Sequence, residues 1–192
     1  SMLRRAQQDK VGGIKTVPFM GAERRTRPSK VADAAKVATV AEVEALEAAM
    51  PPEFALSVPV AAWGALRLGE VLGLTRDSFR GLGDKDTPPY NPVIIVSKQW
   101  AATTSPGHFA PPKAGSTGEV SIPSSLAVKI REHLDTYVGP EPDAPVFPSP
   151  IVPGRPLSHS GFYRYWYRAR DQVRPGFSFH SLRHTGLTRA AQ

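Results

Sequence analysis

The apolar residues of this chain change period twice, and that alternation limits the folds open to it. Val43, Leu46 and Met50 recur at helical spacing behind Thr39-Val40-Ala41-Glu42, a capping box whose hydroxyl and carboxylate can satisfy orphan N–H groups. Pro51-Pro52 ends that helix, and a second is expected from about residue 52 to 63, kinked or split by Pro59. Gly64 permits a turn before a third short helix over residues 67–74. After Thr75-Arg76-Asp77 the period shortens. Val93-Ile94-Ile95-Val96 is a β-type run expected to continue to Trp100. Residues 109–113 and 119–123 make two further short strands around Ala114-Gly115-Ser116-Thr117-Gly118, whose glycines suit a tight turn. The pattern predicts an α+β fold, mostly helical, with a small three-stranded antiparallel sheet and Lys113 at a hairpin.

Helical spacing then returns. Ser124 or Ser125 is expected to cap a helix whose Leu126, Ile130, Leu134 and Tyr137 share one face. Residues 139–156 form a proline-rich loop in which Val146-Phe147 is expected to plug the core. From Ser158 to about Val173, the residues Phe162, Tyr165, Trp166 and Ala169 form a buried stripe, with Arg164, Tyr167, Arg168 and Asp171 facing outward. A basic and aromatic outer face suits phosphate or major-groove contact, with a merely solvated face as the alternative.

Composition narrows the function classes. The net charge of +7 and a pI near 9.9 point to a polyanionic partner. With 192 residues there is room for one sizeable domain, or for one domain and a remnant of another. Residues 1–36 differ from the rest: Ser1-Met2 looks like the remnant of a processed tag. Gly12-Gly13 would stop a short helix, and Ala22-Glu23-Arg24-Arg25-Thr26-Arg27-Pro28 is basic and proline-broken. No apolar run approaches the roughly 18 residues of a membrane span, and no secretory signal pattern is seen. The absence of cysteine excludes disulfides and thiolate metal sites, and is compatible with a reducing cytoplasm. No glycine-rich nucleotide loop or carboxylate cluster for Mg²⁺ is present, which disfavours a P-loop enzyme and a two-metal nuclease.

Three short motifs carry the chemistry. Phe179-His180-Ser181-Leu182-Arg183-His184-Thr185 opens the last expected helix. Far upstream lies Gly64-Ala65-Leu66-Arg67-Leu68-Gly69-Glu70-Val71-Leu72-Gly73-Leu74, and between the two lies Pro112-Lys113-Ala114-Gly115-Ser116. In type and order these resemble the boxes of the tyrosine recombinases, the phage integrase family, and they span most of the chain. The resemblance implies a catalytic-domain-like fold over residues 37–192, preceded in residues 1–36 by the end of a core-binding-domain helix and a linker along the DNA. It also implies site-specific breaking and rejoining of double-stranded DNA through a covalent 3′-phosphotyrosine, with no metal and no nucleotide cofactor.

The roles implied are specific. Arg67 and Arg183 are expected to clamp the phosphate, as preorganised guanidinium forks suit its non-bridging oxygens. Lys113 is expected to protonate the leaving 5′ oxygen, and His180 to assist proton transfer. Glu70 supports Arg67 from one helical turn away, and His184 is a structural or hydrogen-bonding member of its box. Arg164 and Arg168 are expected to touch DNA. Each reading has a plain competitor: an Arg67–Glu70 ion pair on a solvated face, an exposed turn lysine at Lys113 with Lys98 as its rival, and a His180/His184 zinc pair. The zinc pair has no glutamate after His180, no evident third ligand, and Arg183 beside it to repel a cation.

Type IB topoisomerases share this arrangement of groups, but the spacing Arg67, Lys113, His180, Arg183 in so short a chain favours the integrase branch. A non-catalytic DNA-binding protein that occupies recombination sites is a second reading, and a basic structural protein with accidental matches is a third. The expected setting is the prokaryotic or phage-infected cytoplasm, at the nucleoid, with protomers that associate with one another on DNA. In the family a further His or Trp and the nucleophilic Tyr follow the Leu-Arg-His box. None of Tyr90, Tyr137, Tyr163, Tyr165 or Tyr167 follows Arg183. The expectation is therefore that residues 1–192 do not cleave DNA covalently; a phosphotyrosyl adduct trapped on a nicked suicide substrate would refute it.

Overall fold

Capping side chains and prolines set where several helices of the described region begin and end. The computed structural model describes residues 37–84, 86–102, 107–113 and 117–190, with side chains to residue 188. The expected linker and helix end in residues 1–36, and the turn at 114–116, lie outside the described residues. Helix α1 (Val40–Ala49) starts at the capping box: the Glu42 backbone N–H donates to Thr39 Oγ1 at 3.1 Å, and the Thr39 N–H to Glu42 Oε2 at 2.7 Å. The chain then forms α2 (Pro52–Ala55) and α3 (Ser57–Trp63) rather than one kinked helix. Pro59 has no N–H to offer the Ala55 carbonyl, so the helix breaks at Leu56 and Pro59 sits without conflict in the first turn of α3. Ser57 Oγ donates to the Phe54 carbonyl at 2.6 Å across that break.

Helix α4 (Leu68–Leu72) follows, and after the 3-10 turn Arg76–Ser78 come strands β1 (Phe79–Arg80), β2 (Val93–Val96), β3 (Gln99–Ala101), β4 (His108–Ala110) and β5 (Gly118–Ser121). The antiparallel three-stranded sheet exists, but its membership differs from expectation. Its order is β1-β2-β5, with Ile94 opposite both Phe79 and Val120, while β3 and β4 pair separately through Trp100 and Phe109. The long strand expected to run to Trp100 stops at Val96. Residues 109–113 do not pair with 119–123, because Pro111-Pro112 lack the N–H groups that a ladder needs.

Helices α5 (Ser124–Tyr137), α6 (His159–Val173) and α7 (Phe179–Ala190) complete the described fold. Pro123, not a serine, is the N-cap of α5, and Tyr137 at its other end is 39% exposed; His133 takes the buried place instead. The orphan carbonyls at that end are satisfied by Arg76, whose Nη2 donates to Leu134 O at 2.5 Å and Val138 O at 3.0 Å, and whose Nε donates to Gly139 O at 2.7 Å. Ser158 caps α6, accepting from the Gly161 N–H at 3.0 Å. Phe162, Trp166 and Ala169 are buried as expected, and Tyr165 is half-buried. Among the described residues no helix is long and apolar enough to cross a membrane.

Val146 and Phe147 are fully buried in the core, with the Phe147 ring 5.5 Å from that of His133 and the Phe147 carbonyl accepting from the Leu157 N–H. A proline-rich loop is thus fixed by one aromatic plug. Phe147→Ala is expected to lower the unfolding free energy by about 3–5 kcal/mol in urea denaturation, as for other buried aromatics; a loss below about 1 kcal/mol would show that the plug carries little.

Candidate active site

Arg67 ends an irregular turn and caps the helix that carries its own partner. Glu70 lies in the first turn of α4, and its carboxylate reaches back to accept the Arg67 backbone N–H at 2.8 Å and the Arg67 guanidinium at 2.9 Å. The Glu70 side chain is only 1% exposed. Its second oxygen lies 3.8 Å from Nη1 of Arg183, which arrives from α7, 113 residues later in the chain. One buried carboxylate therefore stands between two guanidinium groups from distant segments. The competing reading of an Arg67–Glu70 pair on a solvated face does not fit a carboxylate with almost no exposure.

The turn before Arg67 is built for Arg183. Ala65 has φ of 50°, a left-handed conformation unusual for a residue with a Cβ, and its carbonyl accepts a hydrogen bond from Arg183 Nη1. Gly186, one turn beyond Arg183, lies against the same segment: a Cβ there would overlap the Ala62 carbonyl and press on the Ala65 methyl. Close helix approach thus needs a glycine at 186.

His180 and His184 share a face of α7, with ring centroids 5.1 Å apart and nearly perpendicular. Partial burial pushes the His180 imidazole below the ordinary histidine value, and the neighbouring His184, Arg183, Arg67 and Lys113 push it in the same direction. The charges of Arg67, Lys113 and Arg183 thus all bear on His180. Arg183 is likewise lowered by burial and by Arg67, with Glu70 opposing. Lys113 is exposed and follows β4, in the segment crossing from the two-stranded ribbon to the larger sheet rather than at the tip of a hairpin. Among the described residues no group of three or more His, Asp or Glu side chains is placed to hold a metal ion.

Lys98, the alternative lysine, stands 4.9 Å over the Phe109 ring. Arg164 and Arg168 are exposed on α6, and no described contact links either to the Glu70 cluster. A groove of about 390 Å³ opens beside the cluster, between the edge strand β5 and the residues Trp63, Ala65, Arg183 and Leu187.

Comparison with known proteins bears on this arrangement. No family model matches the chain. Over 155 residues it is 34% identical to a Mycobacterium tuberculosis protein named as a prophage phiRv2 integrase, found in two strains; the match takes in 80% of this chain and 40% of that protein. The chain thus spans well under half the length of the curated relatives it matches. Among solved structures it is similar to the Tn1549 transposon integrase in complex with a circular intermediate DNA (TM-score 0.62, 19% identity, 81% of this chain and 52% of that one). It is also similar to the XerA recombinase (TM-score 0.55, 16% identity, 81% and 49%). The fold is that of a tyrosine-recombinase catalytic domain.

Within this recombinase fold, Arg67 and Arg183 share the buried carboxylate of Glu70, and the exposed Lys113 adds a positive charge that bears on His180. Three features escaped the sequence reading: the strained Ala65, the close approach at Gly186, and a buried Thr185 whose Oγ1 accepts from the Ala38 N–H at 2.9 Å. Thr185 closes the quoted box and Gly186 follows it, but their partners lie more than a hundred residues upstream, where no local pattern points.

The lowered His180 value has a defined pH consequence. Its neutral form is favoured by folding, so its contribution to stability is complete above the ordinary histidine value and is lost as pH falls through the depressed folded value. In an NMR titration the His180 ring is expected to titrate below the ordinary value, and Arg67→Gln to move its midpoint upward by removing a positive neighbour. A midpoint at or above the ordinary value in the parent would overturn this account.

Proposed function

We propose that this chain is part of a site-specific DNA recombinase of the integrase type, one that breaks and rejoins double-stranded DNA through a covalent 3′-phosphotyrosine. The observation that carries the reading is the pair of guanidinium groups of Arg67 and Arg183 joined by the buried Glu70 carboxylate. Two forks held in one place match the non-bridging oxygens of a single phosphate. Glu70 fixes their geometry, and a bound phosphodiester would place its non-bridging oxygens against both guanidinium groups.

Each remaining residue has a task in this proposal. A tyrosine hydroxyl attacks phosphorus and gives up its proton, with His180 as the group at hand to take it, while the bond to the 5′ oxygen breaks and Lys113 delivers the proton that the departing oxygen needs. His180, kept neutral by its surroundings, hydrogen-bonds a non-bridging oxygen and can exchange a proton at neutral pH. His184 holds the His180 ring edge-on. The exposed Arg164 and Arg168 contact the DNA backbone beyond the reacting phosphate. The tyrosine itself is assigned to none of the five in this sequence, and protomers associate with one another on DNA.

Salt-dependent duplex binding tests the reading. The chain should bind both nicked and intact duplexes with a steep dependence of affinity on salt, and the double variant Arg67→Ala, Arg183→Ala should weaken binding and lower that slope by about 1, the contribution of the one phosphate they share. Absence of binding at low salt, or a double variant indistinguishable from the parent, would reject it.

A further inference from the structure

Residues 37–42, which lead out of the basic segment, are fastened to the C-terminal part of the described fold at two points. The Ala38 N–H donates to Thr185 Oγ1 at 2.9 Å; Ala38 is 2% exposed and Thr185 fully buried. The Thr185 hydroxyl in turn donates to the Ser181 carbonyl at 3.2 Å, within α7. The second anchor is Arg174, between α6 and α7. Its Nη1 donates to the Val37 carbonyl at 2.9 Å and lies 3.4 Å from the Glu42 carboxylate, while its guanidinium sits 4.5 Å over the Phe177 ring.

The position of Thr185 on α7 gives the contact its meaning. At 3.6 residues per turn, Leu182, Thr185 and Gly186 lie on the buried side, while His180, Arg183 and His184 reach the site from the other. Gly186 lets α7 approach the Ala62 and Ala65 backbone from one direction. Thr185 holds it from another, against Ala38. Together these contacts fix the rotation and axial position of the helix, and so the line along which Arg183 reaches the Ala65 carbonyl and Glu70. A methyl in place of the hydroxyl would leave the buried Ala38 N–H without its acceptor, and the segment would move toward another partner.

We propose that Thr185 is a positioning residue that ties the segment following residues 1–36 to the helix bearing His180 and Arg183, so that anchorage of that segment and affinity of the site for phosphate are coupled. This rests on the function proposed above. By linkage, whatever loosens residues 37–42 weakens phosphate binding, and bound phosphate tightens their anchorage by the same factor. Displacement of residues 37–42 would thereby reach the site through the buried Ala38–Thr185 hydrogen bond, with Arg174 as the second hold on the same segment.

The test compares Thr185→Val, nearly isosteric but without the acceptor, with Thr185→Ser, which keeps it, in the 192-residue chain well below its melting temperature. Two readouts are needed: the NMR titration of His180 and the affinity for a DNA duplex. Thr185→Val is expected to shift the His180 midpoint upward, as the guanidinium groups lose register, and to weaken duplex binding about fivefold, the scale of one lost hydrogen bond. Thr185→Ser should restore both. A folded Thr185→Val with unchanged titration and affinity, or a Thr185→Ser as impaired as Thr185→Val, would reduce the contact to a stabilising one and overturn the proposal. If Thr185→Val does not fold, Arg174→Gln releases the same segment at Val37 with the Thr185 bond intact; an upward shift of His180 supports the coupling and an unmoved one overturns it. If even the parent binds no duplex, the proposed function fails, and the His180 titration still decides the tether.

Discussion

A carboxylate removed from water has to be matched on all sides, and the matching of Glu70 organises this structure. Leaving it unpaired would cost several kcal/mol, so both Arg67 and Arg183 are drawn to it. Helix α4 has only five residues, too few to be stable alone, and its N-terminus is closed by Glu70 accepting the Arg67 N–H. Held in this way, α4 can lie directly on β3. A Cβ at Gly73 would fall within 2.7 Å of the Gln99 Cα, and one at Gly69 within 3.1 Å of the Trp100 carbonyl oxygen. Both glycines are wanted for the absence of a side chain.

That contact extends the reach of Glu70 to the lysine. Gln99 of β3 donates through Nε2 to the Pro111 carbonyl at 2.8 Å, which fixes the exit of β4 two residues before Lys113. The Trp100 carbonyl of the same strand faces Nε2 of His159 at the start of α6, 2.9 Å away. The short ribbon β3-β4 is therefore a bridge between the arginine turn, the lysine segment and the helix carrying Arg164 and Arg168. Separating it from the larger sheet frees it to serve that purpose, since β2 and β5 are committed to each other.

Much of this was legible in local pattern, and what escaped was non-local. The capping box at Thr39, the stripe of Phe162, Trp166 and Ala169, the plug at Phe147 and the Arg67–Glu70 pair each follow from residues a few positions apart. The partition of the strands did not, because Ser97-Lys98 carries no strong break signal and β1 is two residues long, below any detectable period. Helix α5 misled at both ends: a serine offered a cap that Pro123 took, and Tyr137 continued the apolar spacing past the point where the core stops. The order of the boxes located Arg67, Lys113, His180 and Arg183, but their electrostatic coupling appears only once α7 is laid against the Gly64-Ala65 turn.

The backbone at Ala65 explains why that docking is tight. A left-handed φ at a residue with a Cβ costs of order 1 kcal/mol, more than a glycine there would. The resulting carbonyl direction gives Arg183 Nη1 a hydrogen-bond acceptor, with the Glu70 carboxylate 3.8 Å from the same nitrogen. Both contacts meet one end of the guanidinium and fix where that end lies. A glycine at 65 would relax the turn and loosen the hold of its carbonyl on Arg183. Arg67 needs no such device, because its own backbone N–H is already bound to the carboxylate that its side chain pairs with. The two arginines are thus fixed by different means, one by its place at a helix start and the other by a strained carbonyl. Both nonetheless meet on the same buried carboxylate of Glu70.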